Sequence, residues 1–275
     1  MTYDIETVRK AVQERLGSDK LLFVLGGNDA EMRMIQQLLD QAGVRWVQPN
    51  TGWGGNPVSP AETGLDGTAS IVFVEAVPGD GWTGRVMVID HHGDRSGEPA
   101  SVLQVIDLLG LEVSGEQARL VALVAANDTG WIPGLIEVGA TPEEIDRVRS
   151  MDRAAQGITS EQEAEAERAL AEAEEKLGDI RVVRTSHSKT ATVIDRLAVE
   201  ALAEGRSIPA VLVLSGDGEV NLVGSADGAL CQSLKDRFPG SWAGGSGLGQ
   251  AGEVAYWGGY PDHEEVVDFI RSHLG

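Results

Sequence analysis

Three consecutive residues, Asp90-His91-His92, follow the apolar run Val86-Met87-Val88-Ile89. They place one carboxylate and two imidazoles at a single point of the backbone. Oxygen and imidazole nitrogen together suit a hard divalent cation, Mn2+ or Mg2+, better than a thiolate-rich zinc site would. An Asp beside a His can equally fix the imidazole tautomer, and a His pair in a turn after a strand needs no metal at all. Further acids fall at comparable points: Asp29 and Glu31 after LLFVL (21–25), Glu75 at the end of IVFVE (71–75), and Asp128 in AANDTGW. Each has an ordinary alternative. Asp29 is a favoured helix N-cap residue, Glu75 is the first solvated residue past a strand, and Asp128 belongs to a helix-ending turn. Together they are harder to assign to turns. Neighbouring carboxylates repel and raise one another's pKa unless a cation neutralises them.

The elements that must position these residues alternate strand and helix. LLFVL, IVFVE and VMVID (86–90) are continuous apolar, mostly β-branched runs, the pattern of parallel strands buried on both faces. Helices are expected from the spacing of Ile5, Val8, Val12 and Leu16, from about Asp29 to Ala42, and at about 100–109 and 116–126. The stretch from Pro49 to Gly67 has the composition of a long surface loop. Such alternation predicts an α/β fold with a parallel sheet. Thr141-Pro142-Glu143-Glu144 opens another helix with Pro in the first turn. Ser160-x-x-Glu163 has the form of a capping box for a helix ending at Gly178, with a narrow stripe of Ala166, Leu170, Ala173 and Leu177. From 179 the pattern restarts, with strands near 180–184, 210–214, 219–223 and 253–257 and helices near 190–204, 228–237 and 262–274. The expected organisation is an N-terminal domain over 1–150, a helical connector over 151–178 and a smaller α/β domain over 179–275.

The chain has 275 residues, 22 Lys+Arg against 43 Asp+Glu, and a formal net charge of −21. Gripping a long polynucleotide needs clustered basic residues, and no basic run is present. No stretch approaches the ~18 apolar residues of a membrane span. The opening MTYDIETVRKAVQERLG has no apolar signal region, and a lone Cys231 fits a reducing compartment, so a cytoplasmic location is expected. Much of the acid lies in the Glu-Ala repeat of 160–178 and reports a solvated helix.

The order strand–acid pair, strand–acid, IDHH, Ser101, helix, DTG resembles the DHH phosphoesterase superfamily over most of the chain. VMVIDHHGDRSGEPASVL resembles that family's third motif and LVALVAANDTGW its fourth. A helical connector and a small C-terminal domain with a Gly-Gly loop match the family plan. The resemblance implies a parallel-sheet DHH-like domain, a DHHA1-like substrate-binding domain, and hydrolysis of phosphate esters or anhydrides with two Mn2+ ions. Position by position, Glu75 falls on a bridging Asp, His91 and Asp128 on ligands of the second metal, and Asp90 and His92 on residues that support the site and bind phosphate. Asp29-x-Glu31 falls on an Asp-x-Asp pair, which puts Leu25 where the first metal's His belongs. Gly244-Gly245-Ser246 stands where the family has Gly-Gly-His, and Gly224-Ser225 where it has Arg-Ser.

These departures leave a glycine-rich loop whose N–H groups could cradle an anion, with Gly244, Gly245, Ser246 and Ser225 as substrate contacts. Gly247-x-Gly249-x-x-Gly252 precedes a strand instead of opening a helix, so it is discounted as a dinucleotide fingerprint. His187 and Lys189 are candidate phosphate contacts, against a polar turn that caps the following helix. Trp242, Tyr256 and Trp257 are candidates for base stacking or for core. The functional expectation is a Mn2+-dependent phosphoesterase (Mg2+ as substitute, one or two ions) acting on a small nucleotide or short oligonucleotide. The alternative is a catalytically silent relative that binds a nucleotide or a protein partner. A homodimer is expected if the first domain exposes apolar surface.

Overall fold

The computed structural model describes residues 10, 12, 21–49, 56–63 and 70–275. The helix expected around Ile5–Leu16 lies outside these, except for Lys10 and Val12, as does much of the expected 49–67 loop. The chain divides into two compact units, Met1–Gln156 and Gly157–Gly275.

In the first unit, β1 (Leu21–Leu25) leads into α1 (Ala30–Gln41) and β2 (Arg45–Val47). A short helix α2 (Pro60–Thr63) precedes β3 (Ser70–Val74) and β4 (Val86–Ile89). The four strands form one parallel sheet in the order β2-β1-β3-β4. The apolar runs are continuous because both faces of β1 are covered. Leu21, Phe23 and Leu25 enter one core with residues of α1, while Leu22 and Val24 enter another with Val58, Ile71 and Phe73. That pattern follows from the strand period of two.

Three longer helices complete the unit: α3 (Ser101–Leu109), α4 (Gly115–Glu137) and α5 (Pro142–Ala155). Gly110 ends α3 in the left-handed conformation, φ +64°, and Thr141 with Glu144 forms a capping box on α5. The helix expected over 116–126 runs further. It continues through Asp128-Thr129-Gly130 and breaks at Trp131, whose φ is 51° and ψ −142°. A Cβ at Gly134 would lie 2.3 Å from the Ala126 carbonyl oxygen, so a glycine is what lets the chain fold back so closely after the break.

The second unit begins with α6 (Ser160–Glu172), followed by β5 (Lys176–Leu177) and β6 (Ile180–Thr185). The capping box of α6 is Thr159 with Gln162, one residue earlier than Ser160 with Glu163. The helix also stops at Glu172, short of the expected Gly178. Leu177 instead pairs with Ile180 in an antiparallel hairpin that turns at Gly178, φ +57°, and is buried in the core of this unit. The remaining elements are α7 (Ala191–Ala203), β7 (Val211–Ser215), β8 (Val220–Asp227), α8 (Gly228–Arg237), β9 (Trp242–Gly244), β10 (Val254–Gly259) and α9 (His263–Leu274). Its sheet has the order β5-β6-β7-β8-β10-β9 and is mixed, with β6 and β7 parallel and the other pairs antiparallel. Trp257 is fully buried, with Nε1 donating to Ser241 Oγ at 3.0 Å. No helix among the described residues is long and apolar enough to cross a membrane.

Candidate metal centre

The carboxyl ends of β1, β3 and β4 deliver the acids and imidazoles of the first unit to one place, as parallel sheets do. Asp29 N-caps α1, accepting from Met32 N at 2.7 Å through Oδ1. Glu31 lies in the first turn of α1, and its Oε1 accepts from Val102 N at 2.9 Å. It thereby caps α3, whose own N-cap, Ala100, has no side chain for the task. Glu75 follows β3 with φ +50°, a left-handed conformation that a non-glycine residue holds at a cost. Asp90, His91 and His92 follow β4, and Asp128 lies on α4 just before its break.

Four of these residues, Glu75, His91, His92 and Asp128, offer ligand atoms that all lie within 4.8 Å of one another. His91 is the centre. Its Nε2 is 2.5 Å from Asp128 Oδ2, 3.2 Å from Glu75 Oε1 and 3.9 Å from Glu31 Oε2. Despite these distances, His91 Nε2, Asp128 Oδ2, both oxygens of Glu75 and Glu31 Oε2 are buried without an aligned hydrogen-bond partner, as is Asp29 Oδ2. Buried polar atoms are ordinarily satisfied. A set of acceptors converging with none satisfied is the donor arrangement a divalent cation needs, so these residues fit the metal that the sequence implies.

The electrostatics agree. Burial, reinforced by Asp128 and Glu75 nearby, pushes Asp29 up to about 8, against the hydrogen bond from Met32 N. Burial and the charges of Asp128 and Glu75 likewise push Glu31 far above the carboxylate range. Burial would raise Glu75 too, but His91, Glu31 and Ser101 lie against its charged form and hold it low. Of the two, Glu31 is the one pushed towards its protonated form. The carboxylates of Asp128 and Glu75 push His91 up to about 10. A cation in their midst would release these protons.

His92 is more open, with its side chain 54% exposed. Asp90 Oδ1 accepts from His92 N at 2.9 Å and lies 3.0 Å from His92 Nδ1. Asp90 is therefore the group that orients the His92 ring. His92, expected to bind phosphate, also lies within reach of the other three donor residues.

Gly26 sets the spacing of the strand ends. Its N–H donates to Val74 O at 2.9 Å, and a Cβ there would sit 2.2 Å from the Glu75 carbonyl oxygen. Gly26→Ala must push β1 and β3 apart, and overpacking of this kind costs about 1–3 kcal/mol. A lowered urea midpoint of the metal-free protein is the expected result, and an unchanged midpoint would show that the strand ends can part freely.

The other candidates lie in the second unit. Gly244 ends β9 opposite Tyr256, whose ring covers it. Gly245 has φ +103°, and Ser246 and Ser225 are exposed. His187 Nε2 faces the Gln162 carbonyl at 3.2 Å and its Nδ1 accepts from Lys189 N at 3.2 Å, so both ring nitrogens take part in the loop before α7. Glu165 fixes the same loop, accepting from Ser186 N at 2.5 Å and from Ser186 Oγ at 2.7 Å.

The fold is shared with a solved structure of low sequence identity. The chain is similar to RecJ from Thermus thermophilus in complex with Mg2+, with a TM-score of 0.50 and 14% identity over 98% of this chain and 52% of RecJ. It therefore spans about half the length of that protein. It is also similar to the pGpG-specific phosphodiesterase PggH from Vibrio cholerae, with a TM-score of 0.40 and 11% identity, covering 92% of this chain and 97% of PggH. No family model matches the chain, and no curated protein matches it.

Proposed function

We propose that this protein is a divalent-metal-dependent phosphoesterase that hydrolyses a small nucleotide or short oligonucleotide in the cytoplasm. The observation that carries it is the convergence of Glu75, His91, His92 and Asp128 within 4.8 Å, with buried donor atoms that lack partners. A divalent cation there supplies Lewis acidity, acidifying water towards neutral pH and screening a phosphoester's charge. Glu75, His91 and Asp128 would hold the ion, with Glu31 and Asp29 beside them. Asp90 engages Nδ1 of His92, which turns Nε2 to the substrate as a donor or acceptor for a phosphate oxygen. In the second unit, Gly244, Gly245, Ser246 and Ser225 are the proposed substrate contacts. Mn2+ is the proposed ion, with Mg2+ as the substitute that the RecJ complex suggests. The net charge of −21 favours a small substrate, since a long polynucleotide would meet no basic track.

The test is product formation from oligoribonucleotides, cyclic dinucleotides, bisphosphorylated nucleotides and pyrophosphate, with Mn2+, Mg2+ or EDTA. EDTA-sensitive turnover of a small substrate is expected. Absence of turnover with every metal, in folded protein, refutes the proposal.

One observation favours a second reading. Leu25 is fully buried in the apolar core, so the end of β1 adds no nitrogen donor beside Asp29 and Glu31. This supports a single ion per chain, or a silent binding protein. Elemental analysis separates them. One ion with turnover supports a one-ion enzyme, one ion without turnover a binding protein, and two ions would mean that Asp29 and Glu31 suffice without a His.

A further inference from the structure

Beneath the metal centre lies a buried charge pair that none of the motifs contains. Arg149 and Asp152, one turn apart on α5, are each 5% exposed and joined at 3.0 Å. The Arg149 guanidinium also donates to Asn127 Oδ1 at 2.8 Å, and Asn127 is itself buried. The Trp131 ring lies 6.0 Å from the guanidinium carbon. Arg149 thus touches the residue immediately before Asp128 and the residue at which α4 breaks, three positions after it. Asp152 faces the other way. Its Oδ1 accepts from Ala30 N at 3.0 Å, between Asp29 and Glu31, and its Oδ2 accepts from Gln156 Nε2 at 2.8 Å.

From this geometry we infer that Arg149 and Asp152 are positioning residues, a clamp that fixes Asp128 and the start of α1 in register for metal binding. A buried ion pair is weak evidence of stabilisation, because an apolar pair of similar volume often serves as well or better. What an apolar pair cannot do is bond specific groups on α1, α4 and α5 at once. Together these two residues do: Arg149 Nη1 donates to Asn127 on α4 and to Asp152, and Asp152 accepts from Ala30 N on α1, an arrangement that the flexible point charge of a lysine would hold less firmly. The need for a clamp is visible at Trp131, where a backbone held at φ +51° has to be kept in place by its surroundings.

The inference rests on the metal reading proposed above, and its test separates the two. Mn2+ affinity is measured by calorimetry, and the Mn2+ EPR spectrum reports the symmetry of the site. The variants are Arg149→Lys, Arg149→Met and the double variant Arg149→Met/Asp152→Leu, which removes both charges of the pair together. Groups that orient metal ligands typically contribute about 10–100-fold to affinity. The double variant is expected to melt near the wild-type temperature yet bind Mn2+ about 10–100-fold more weakly, with a broadened EPR spectrum. Arg149→Lys is expected to recover melting temperature and little of the affinity. A folded double variant with wild-type affinity and spectrum overturns the clamp while leaving the metal reading intact. A wild-type chain that binds no divalent ion overturns both. If the double variant does not fold, Arg149→Lys decides: wild-type affinity in it overturns the clamp.

Discussion

Asp128→Ala is expected to remove metal-dependent phosphoester hydrolysis, by at least the ~10²–10³-fold that follows loss of one group stabilising charge at a reacting centre. Asp128 is the nearest carboxylate to His91 Nε2, at 2.5 Å, and its Oδ2 is buried without an aligned donor. The fold should survive the change. Without a cation, Asp128 is the foremost group holding His91 protonated, so its loss should lower the melting temperature in EDTA while leaving the protein folded. The variant should also fail to gain the wild-type increase when Mn2+ is added. Differential scanning fluorimetry in both buffers reads this, alongside the rate. An unchanged rate would place the site elsewhere.

The second large effect is on pH. A carboxyl in the unfolded chain titrates near ~3.9, whereas Asp29 in the folded, metal-free protein is raised to about 8. Between those values the folded state keeps a proton that the unfolded state has lost. Stability contributed by this group then falls as pH rises, with a slope of up to about 1.4 kcal/mol per pH unit. His91 acts in the same direction over a higher window. Its folded value of about 10 exceeds the ~6.5 of free imidazole, so the stability it adds is complete below ~6.5 and lost as pH climbs towards 10. Both act together from about 6.5 to 8. In EDTA the denaturation midpoint should decline steadily from about pH 5 to 9. With saturating Mn2+ the decline should flatten or reverse, since ligands bind metal deprotonated. A flat midpoint in EDTA would show that these groups keep ordinary values in the metal-free state.

The strands of the first unit were legible because their composition answers to a simple demand. Leu21–Leu25 is buried residue by residue, and only a run apolar at every position meets that. Asp90-His91-His92 was legible because unusual side chains stood where such a run stops. Asp128 was harder to place. Its helix was expected to end near it, whereas the helix continues to Gly130 and breaks at Trp131, between a glycine and Pro133, which mark a break without fixing its position. The end of α6 was missed for a different reason. Ala and Glu favour continued helix, but Leu177 gains more by entering the core of the second unit as a strand residue. Arg149 and Asp152 were invisible because, in a helix with five charged residues besides them, composition alone does not say which two face inward. His187 could be read two ways from its company of Ser and Lys, which is equally the company of a hydrogen-bonded turn.

Among the described residues, the two that hold a left-handed backbone without being glycine are Glu75 and Trp131, the first a member of the cluster and the second three positions beyond another member. The least comfortable stretches of the polypeptide are thus the ones that aim the side chains of the cluster. Any selection that rewards heat resistance alone, in the laboratory or in a lineage, would find relief first at these two positions. Each step of relief would turn a carboxylate away from the cluster. A tougher descendant of this protein would be a blunter one.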